Sequence, residues 1–229
     1  SEYVAILSGN TDLLEKAKLE KKITSLESER YAFNRSRSTA KSKLEQITCN
    51  IDGNSEMISR INADMQAYTS RVVWDADGNK LNPIQLKGIE GSDPKAIGAK
   101  LVEISEKART HGQDMIIGSL YGFNLIVKTE SSDKELFDLT QNKFFAEGEG
   151  RIKYSYNNGN IATDPKLASL NFLNALEKIP KLSEKYETEI AKIAKDIPVL
   201  QELVSSVWKK EEELKNLKVE LTTLDRQIQ

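Results

Sequence analysis

The chain has 229 residues, 38% of them hydrophobic and 30% charged, with 33 Lys and Arg against 35 Asp and Glu for a net charge of −2. That is the composition of a helix-rich globular protein, and the balance of charge leaves no bulk footprint for a polyanionic partner. No apolar run is long enough to cross a membrane and no secretory leader opens the chain, so no membrane partner and a cytoplasmic location are expected. One Cys and one His exclude a disulfide framework and a cysteine-based zinc site within the chain.

Asn10 or Thr11 can cap a first long helix, with Asp12 and Glu15 in the turn where the dipole favours acid. Along it Leu19, Ile23, Leu26, Phe33, Ala40, Leu44, Ile47, Ile51, Ile58, Ile61, Met65 and Tyr68 recur at steps of four and three, interrupted by Arg30, Arg37 and Asn54. A seam that narrow, kept for about seven heptads, requires another long helix as its partner. The stretch from Arg30 to Lys43, rich in Ser, Arg and Lys, reads either as solvated shaft or as a basic stripe for a phosphate backbone. Asp52-Gly53-Asn54 predicts a local kink or fray, since an internal Gly costs about 1 kcal/mol relative to Ala.

From Arg71 the period changes. Val72–Trp74 and Leu81–Leu86 read as a hairpin around Asp75-Ala76-Asp77-Gly78-Asn79. Ser92 or Asp93 before Pro94 starts a helix with Ile97, Leu101, Ile104 and Ala108 on its apolar face, ending near His111-Gly112. Met115–Leu120 and Phe123–Thr129 read as a hairpin turning at Tyr121-Gly122. Shorter strands are expected at Leu136–Leu139, Phe144–Glu147 and Arg151–Tyr156. Asp164-Pro165 starts a helix with Leu167, Leu170, Leu173, Leu176 and Ile179 on one face, and Pro180 marks the break after it.

The return helix carries Ile193, Leu200, Val207, Leu214, Leu221 and Ile228 at steps of seven, with Pro198 expected to kink it. Pairing of the two seams in antiparallel fashion fits residue numbers that add to roughly 248, which brings Arg37 level with Glu211 and Glu212. The expected fold class is therefore α+β. A long antiparallel coiled-coil hairpin closed within one chain, as a monomer, carries a small domain of mainly antiparallel sheet and two helices. The expected divisions are 1–70, 71–180 and 181–229, with the middle segment folding independently.

Chemistry is harder to find. The acidic turn at Asp75–Asn79 has its Gly too early for a calcium loop, and Leu86 stands where the closing Glu belongs. Gly148-Glu149-Gly150 lacks the third glycine and the following helix of a dinucleotide fingerprint. His111 has no second His with which to share a metal. No catalytic residue, metal ligand or cofactor site is expected. The best binding candidates are Arg151 and Lys153, which strand alternation puts on one face with Ile152, Tyr154 and Tyr156 on the other. They would offer cations to DNA phosphates, the alternative being an ordinary half-buried strand.

Several strings carry a resemblance: Ala5 to Glu20 (AILSGNTDLLEKAKLE), Tyr121-Gly122-Phe123, Tyr154-Ser155-Tyr156-Asn157-Asn158-Gly159, Val207-Trp208-Lys209-Lys210-Glu211 and Leu224-Asp225-Arg226. Together they resemble the C-terminal region of large helicase and adenine-specific DNA methyltransferase fusion proteins, carried by conjugative elements and phages of Bacteroides-like bacteria. The resemblance implies a segment beyond the motor, without the ATP-binding loop, the Asp-Glu box or the methyltransferase motif. On that reading it is a non-enzymatic accessory module, whose partners are DNA and the helicase and methyltransferase domains of its parent. The rival expectation is a protein-binding or dimerising arm with no DNA contact.

Overall fold

The computed structural model describes residues 3–4, 9–132 and 139–229 and has a mixed α+β architecture. Of the features named above, Ala5–Ser8 and all but Leu139 of the Leu136–Leu139 strand lie outside the described residues. In chain order the elements are α1 (Thr11–Arg71), β1 (Gln85–Leu86), α2 (Pro94–Lys107), β2 (Met115–Leu120), β3 (Phe123–Ser132) and β4 (Leu139–Glu147). Then come β5 (Lys153–Tyr154), a 3-10 turn (Asn157–Gly159), α3 (Pro165–Ser169), α4 (Asn171–Leu176), α5 (Ile179–Ala194), α6 (Ile197–Ser205) and α7 (Glu211–Ile228). The chain divides into two compact units. A helical unit takes the chain up to Ile51 together with Ile193–Gln229, and a sheet unit takes Asp52–Lys192. The sheet unit thus reaches into both flanking helices, well beyond residues 71–180.

α1 runs unbroken for 61 residues, so the kink expected at Gly53 does not occur. A cost near 1 kcal/mol is small beside the apolar surface that the seam buries on either side of that glycine. In the helical unit Leu19, Ile23 and Leu26 pack against Leu214, Leu217 and Leu224 of α7, and Ala40 and Ile47 against Leu200 of α6. Ion pairs show that the helices run antiparallel. Lys16 meets Asp225 at 2.7 Å, Glu27 meets Lys218 at 2.6 Å and Arg30 meets Glu211 at 2.9 Å. The residue numbers of the Lys16–Asp225 and Arg30–Glu211 pairs each add to 241, about one heptad short of the register inferred from spacing. A seven-residue repeat is indifferent to a slip of one repeat, and charge partners outside the seam decide between the registers. The pairing expected for Arg37 is therefore corrected: Arg30 takes Glu211, while Arg37 is exposed and donates from Nη1 to the Ser206 carbonyl at 3.5 Å.

The return run is also not one kinked helix. Pro198 falls in the first turn of α6, where a missing amide leaves no bond unmade, and the chain breaks again between Ser206 and Lys210. At that second break Val207 is 74% exposed and Trp208, only 8% exposed, enters the core in its place. An indole buries far more apolar surface than an isopropyl group, and Glu211, Glu212 and Glu213 favour a fresh helix N-terminus.

The sheet is an antiparallel meander in the order β1-β2-β3-β4-β5. β2 and β3 join through Tyr121 (φ 49°) and Gly122 (φ 81°), a two-residue turn of the type that matches strand twist. The hairpin expected from Val72 to Leu86 shrinks to a bridge between Trp74 and Lys80, and β1 pairs with β2 instead. Pro83 removes a ladder donor, and the Tyr121 hydroxyl donates to the Leu81 carbonyl at 2.6 Å. Asp93 caps α2 as its Asp-Pro start implied, accepting from the Ala96 amide at 3.0 Å. α2 then crosses α3 so closely that a Cβ on Gly98 would lie 1.7 Å from the Pro165 carbonyl oxygen. The segment after Asp164 is two short helices rather than one. Leu167 and Leu170 point outward while Ala168, Phe172, Leu173 and Leu176 are buried, and Pro180 sits inside the first turn of α5.

The C-terminus of α2 ends against β4. The buried Asn142 amide donates to the carbonyls of Ile104 (3.3 Å), Ser105 (3.0 Å) and Ala108 (2.9 Å), and its Oδ1 accepts from the Thr129 hydroxyl at 2.6 Å. These are carbonyls that a helix end leaves without intrahelical partners. Asn142→Ala is expected to lower the stability of the sheet unit by about 2–3 kcal/mol, read as a shifted urea midpoint at unchanged slope. A shift worth less than about 0.5 kcal/mol would mean that water replaces the amide.

Candidate functional site

Two side chains four residues apart on α1, Arg60 and Asp64, grip the turn that leads into β5. Arg60 donates from Nε to the Gly150 carbonyl at 2.8 Å and from Nη2 to the Arg151 carbonyl at 3.0 Å. Asp64, 1% exposed, accepts from the Gly150 amide at 2.9 Å and from the Tyr154 hydroxyl at 2.8 Å. A Cβ on Gly150 would fall 2.5 Å from Asp64 Oδ2, so the glycine there serves close approach to a carboxylate rather than to a nucleotide. Burial, and then the hydrogen bond to Asp64, push the Tyr154 phenol above its ordinary range. Nothing local in the sequence announces this grip, since Arg60 and Asp64 sit beside the seam like any solvated pair.

The grip sets where Arg151 and Lys153 stand. β5 is confined to Lys153 and Tyr154, and Arg151 lies before it in a left-handed conformation (φ 55°). The idea that one strand carries both cations is therefore corrected, although the alternation holds through Tyr154: Arg151 and Lys153 are exposed, Ile152 and Tyr154 buried. It fails at Tyr156, which was expected in the core and is 39% exposed. There the chain leaves the strand for the 3-10 turn, with Asn157 and Asn158 both at positive φ.

Lys153 does not stand with Arg151 so much as with three lysines from the far side of the chain. Lys153, Lys178, Lys181 and Lys185 surround a pocket of about 410 Å3 that also takes in Tyr154 and Ser155. Lys178 lies in the turn before α5, and Lys181 and Lys185, four residues apart, share a face of α5. Lys153 Nζ pairs with Asp114 at 2.6 Å, and Lys178 Nζ lies 5.0 Å from the centre of the Tyr156 ring. No carboxylate lines the pocket: Glu184 and Glu187, in the same stretch of α5, are absent from its wall. Lys178, Lys181 and Lys185 have no ion-pair partner among the described residues, so an anion among them meets uncompensated charge. Sequence reading found Lys153 and missed its three companions. Their spacing was visible, but nothing in the order of residues joins it to a strand some 25 positions earlier.

The acidic turn is accounted for by its own backbone. Asp75 Oδ1 accepts from the amides of Asp77 (2.9 Å) and Asn79 (2.8 Å), and the bond from Asn79 leads the causes that hold its carboxyl below the usual range. Among the described residues no group of three or more His, Cys, Asp or Glu converges as a metal site would require, and no helix is long and apolar enough to cross a membrane.

Residues 69–176 match the model of a family described as "Domain of unknown function (DUF8438)". The match lies within the sheet unit and includes Arg151 and Lys153 but stops short of Lys178. No curated protein and no solved structure matches the chain.

Proposed function

We propose that this chain is a non-enzymatic, cytoplasmic accessory module of a DNA helicase and methyltransferase, and that its sheet unit engages the phosphates of duplex DNA. The observation that carries the reading is the convergence of Lys153, Lys178, Lys181 and Lys185 on one pocket without a carboxylate in its wall. Ammonium groups on flexible stems neutralise phosphates without reading bases, so binding of this kind is sequence-independent and salt-sensitive. Arg151 is exposed two residues before Lys153. The helicase and methyltransferase context rests on the lineage strings, among them Tyr154–Gly159 and Val207–Glu211.

The experiment is a binding titration of the full chain on duplex DNA across a salt series. The triple change Lys178→Ala, Lys181→Ala, Lys185→Ala is expected to weaken binding and to flatten the log–log salt slope by about 2.7, three contacts at about 0.9 each. Thermal stability should hardly move, because all three side chains are exposed. Unchanged affinity in the folded triple variant would remove the pocket from the account. A second reading, a protein-binding arm, is favoured by one feature: Val73, Trp74 and Leu81 form an exposed apolar group at the Trp74–Lys80 bridge.

A further inference from the structure

The helical unit carries a second concentration of positive charge. From Arg30 to Leu44 the chain has Arg30, Arg35, Arg37, Lys41 and Lys43 and no carboxylate, and α6, which packs against this part of α1, brings a single one, Glu202. Elsewhere in the unit Lys16, Lys22, Lys210 and Lys218 make ion pairs. Here Arg30 goes to Glu211, whereas Arg35, Lys41 and Lys43 have no ionic partner among the described residues. Arg37 and Lys41 are also like charges one helical turn apart, an arrangement that weakens a helix.

The geometry adds a stacking surface to the charge. Tyr31, Arg35, Thr39 and Lys43 recur every fourth residue, an inclined ridge on the helix with about 6 Å of rise per step. All four line one groove of about 480 Å3, closed on its other side by Leu200 and Leu203 of α6. Tyr31 is 68% exposed, a large ring left in solvent with guanidinium, hydroxyl and ammonium groups following it along the ridge. Cations to hold phosphates and an open aromatic face to take a base are the two components of sites for single-stranded nucleic acid. A duplex keeps its bases stacked on one another and offers the Tyr31 ring nothing.

We propose that this face of the helical unit binds single-stranded nucleic acid, with a base stacked on Tyr31 and the adjoining phosphates held by Arg35 and Lys43. The site is separate from the lysine pocket of the sheet unit and does not rest on it. It is tested by fluorescence anisotropy of a labelled oligo-dT strand and a labelled duplex with the full chain and three variants. Tyr31→Ala is expected to weaken strand binding about tenfold, the order of losing one stacked base, with duplex binding unchanged. The pair Arg35→Ala with Lys43→Ala is expected to lower the strand salt slope by about 1.4, two contacts at about 0.7 each. The third variant, the triple lysine change in the sheet unit, should weaken the duplex and leave strand binding within about twofold. All three side chains changed on α1 are exposed, and unchanged helical circular dichroism shows that the variants fold. Strand binding that survives Tyr31→Ala in a folded protein overturns the proposal, as does strand binding lost only with the sheet-unit lysines, which would leave the duplex reading standing. Equal competition by polyglutamate overturns the stacking assignment, and failure of the intact chain to bind either nucleic acid overturns both readings.

Discussion

Residues 71–180, expressed alone, are expected to show no cooperative thermal transition, whereas residues 52–192 are expected to show one. The shorter segment holds the whole sheet and α2 to α4, and by sequence periodicity it looks self-sufficient. Its core, however, is completed from both flanks. Ile61 is fully buried and Tyr68 nearly so, Met57 and Met65 pack beside them, and Leu182 and Tyr186 close the core from α5. The Tyr68 ring stacks edge-on against both Tyr121 and Phe123, and its hydroxyl donates to Glu177 at 2.7 Å. Each large apolar side chain withdrawn from water contributes about 1.5–3 kcal/mol. Losing Ile61 and Tyr68 outright and four neighbours in part removes on the order of 8 kcal/mol, comparable with the entire stability of a domain this size. Near-UV circular dichroism through a melt decides the matter. A sharp transition in the 71–180 segment would show that the sheet and its own helices suffice.

Asp64→Ala in the full chain is expected to destabilise the sheet unit by about 3–5 kcal/mol and to lower its melting temperature by on the order of 10 °C. The carboxylate has two donors, the part-buried Gly150 amide and the buried Tyr154 hydroxyl. Removing it strands both where water enters poorly, at about 1–3 kcal/mol for each, and opens a small void. Tyr154→Phe removes one donor and keeps the acceptor, so it should cost about 1–2 kcal/mol, less than the alanine change. A double-mutant cycle should show the two losses to be non-additive. On the proposed reading the Asp64 variant should also weaken binding to duplex DNA, because the same grip places Lys153. Equal and small effects of the two changes would mean that Asp64 is not the acceptor on which the turn depends.

Local signals carried much of the architecture. Leu19, Ile23, Leu26, Ala40, Ile47, Ile61 and Tyr68 are buried where the heptad seam put them, because a period near 3.5 residues is written in residue type alone. Turn and cap chemistry is equally local. Tyr121-Gly122 closes the β2–β3 hairpin and Asp93 and Asp164 cap helices that begin with proline, since each depends on residues within three positions of one another.

What the order of residues left open is whatever two distant segments decide between them. The seam could not choose its register, because one heptad looks like the next, and ion pairs such as Lys16–Asp225 fix it. The second break of the return run depends on Trp208 finding a place in the core of the helical unit, which the register puts level with Phe33 of α1, a gain that no window around Val207 contains. The lysine pocket belongs to the same class. The sequence by itself determined that Lys153 would lie on the polar face opposite Ile152 and Tyr154, while Lys178, Lys181 and Lys185 were a second set to which it assigned no place. That the two sets meet was decided by the tertiary structure, through Arg60 and Asp64 gripping the Gly148–Arg151 turn and Ile179 burying α5 against the core. Periodicity fixes which side of an element is apolar, and the packing of that side against a distant segment fixes what the polar side comes to face.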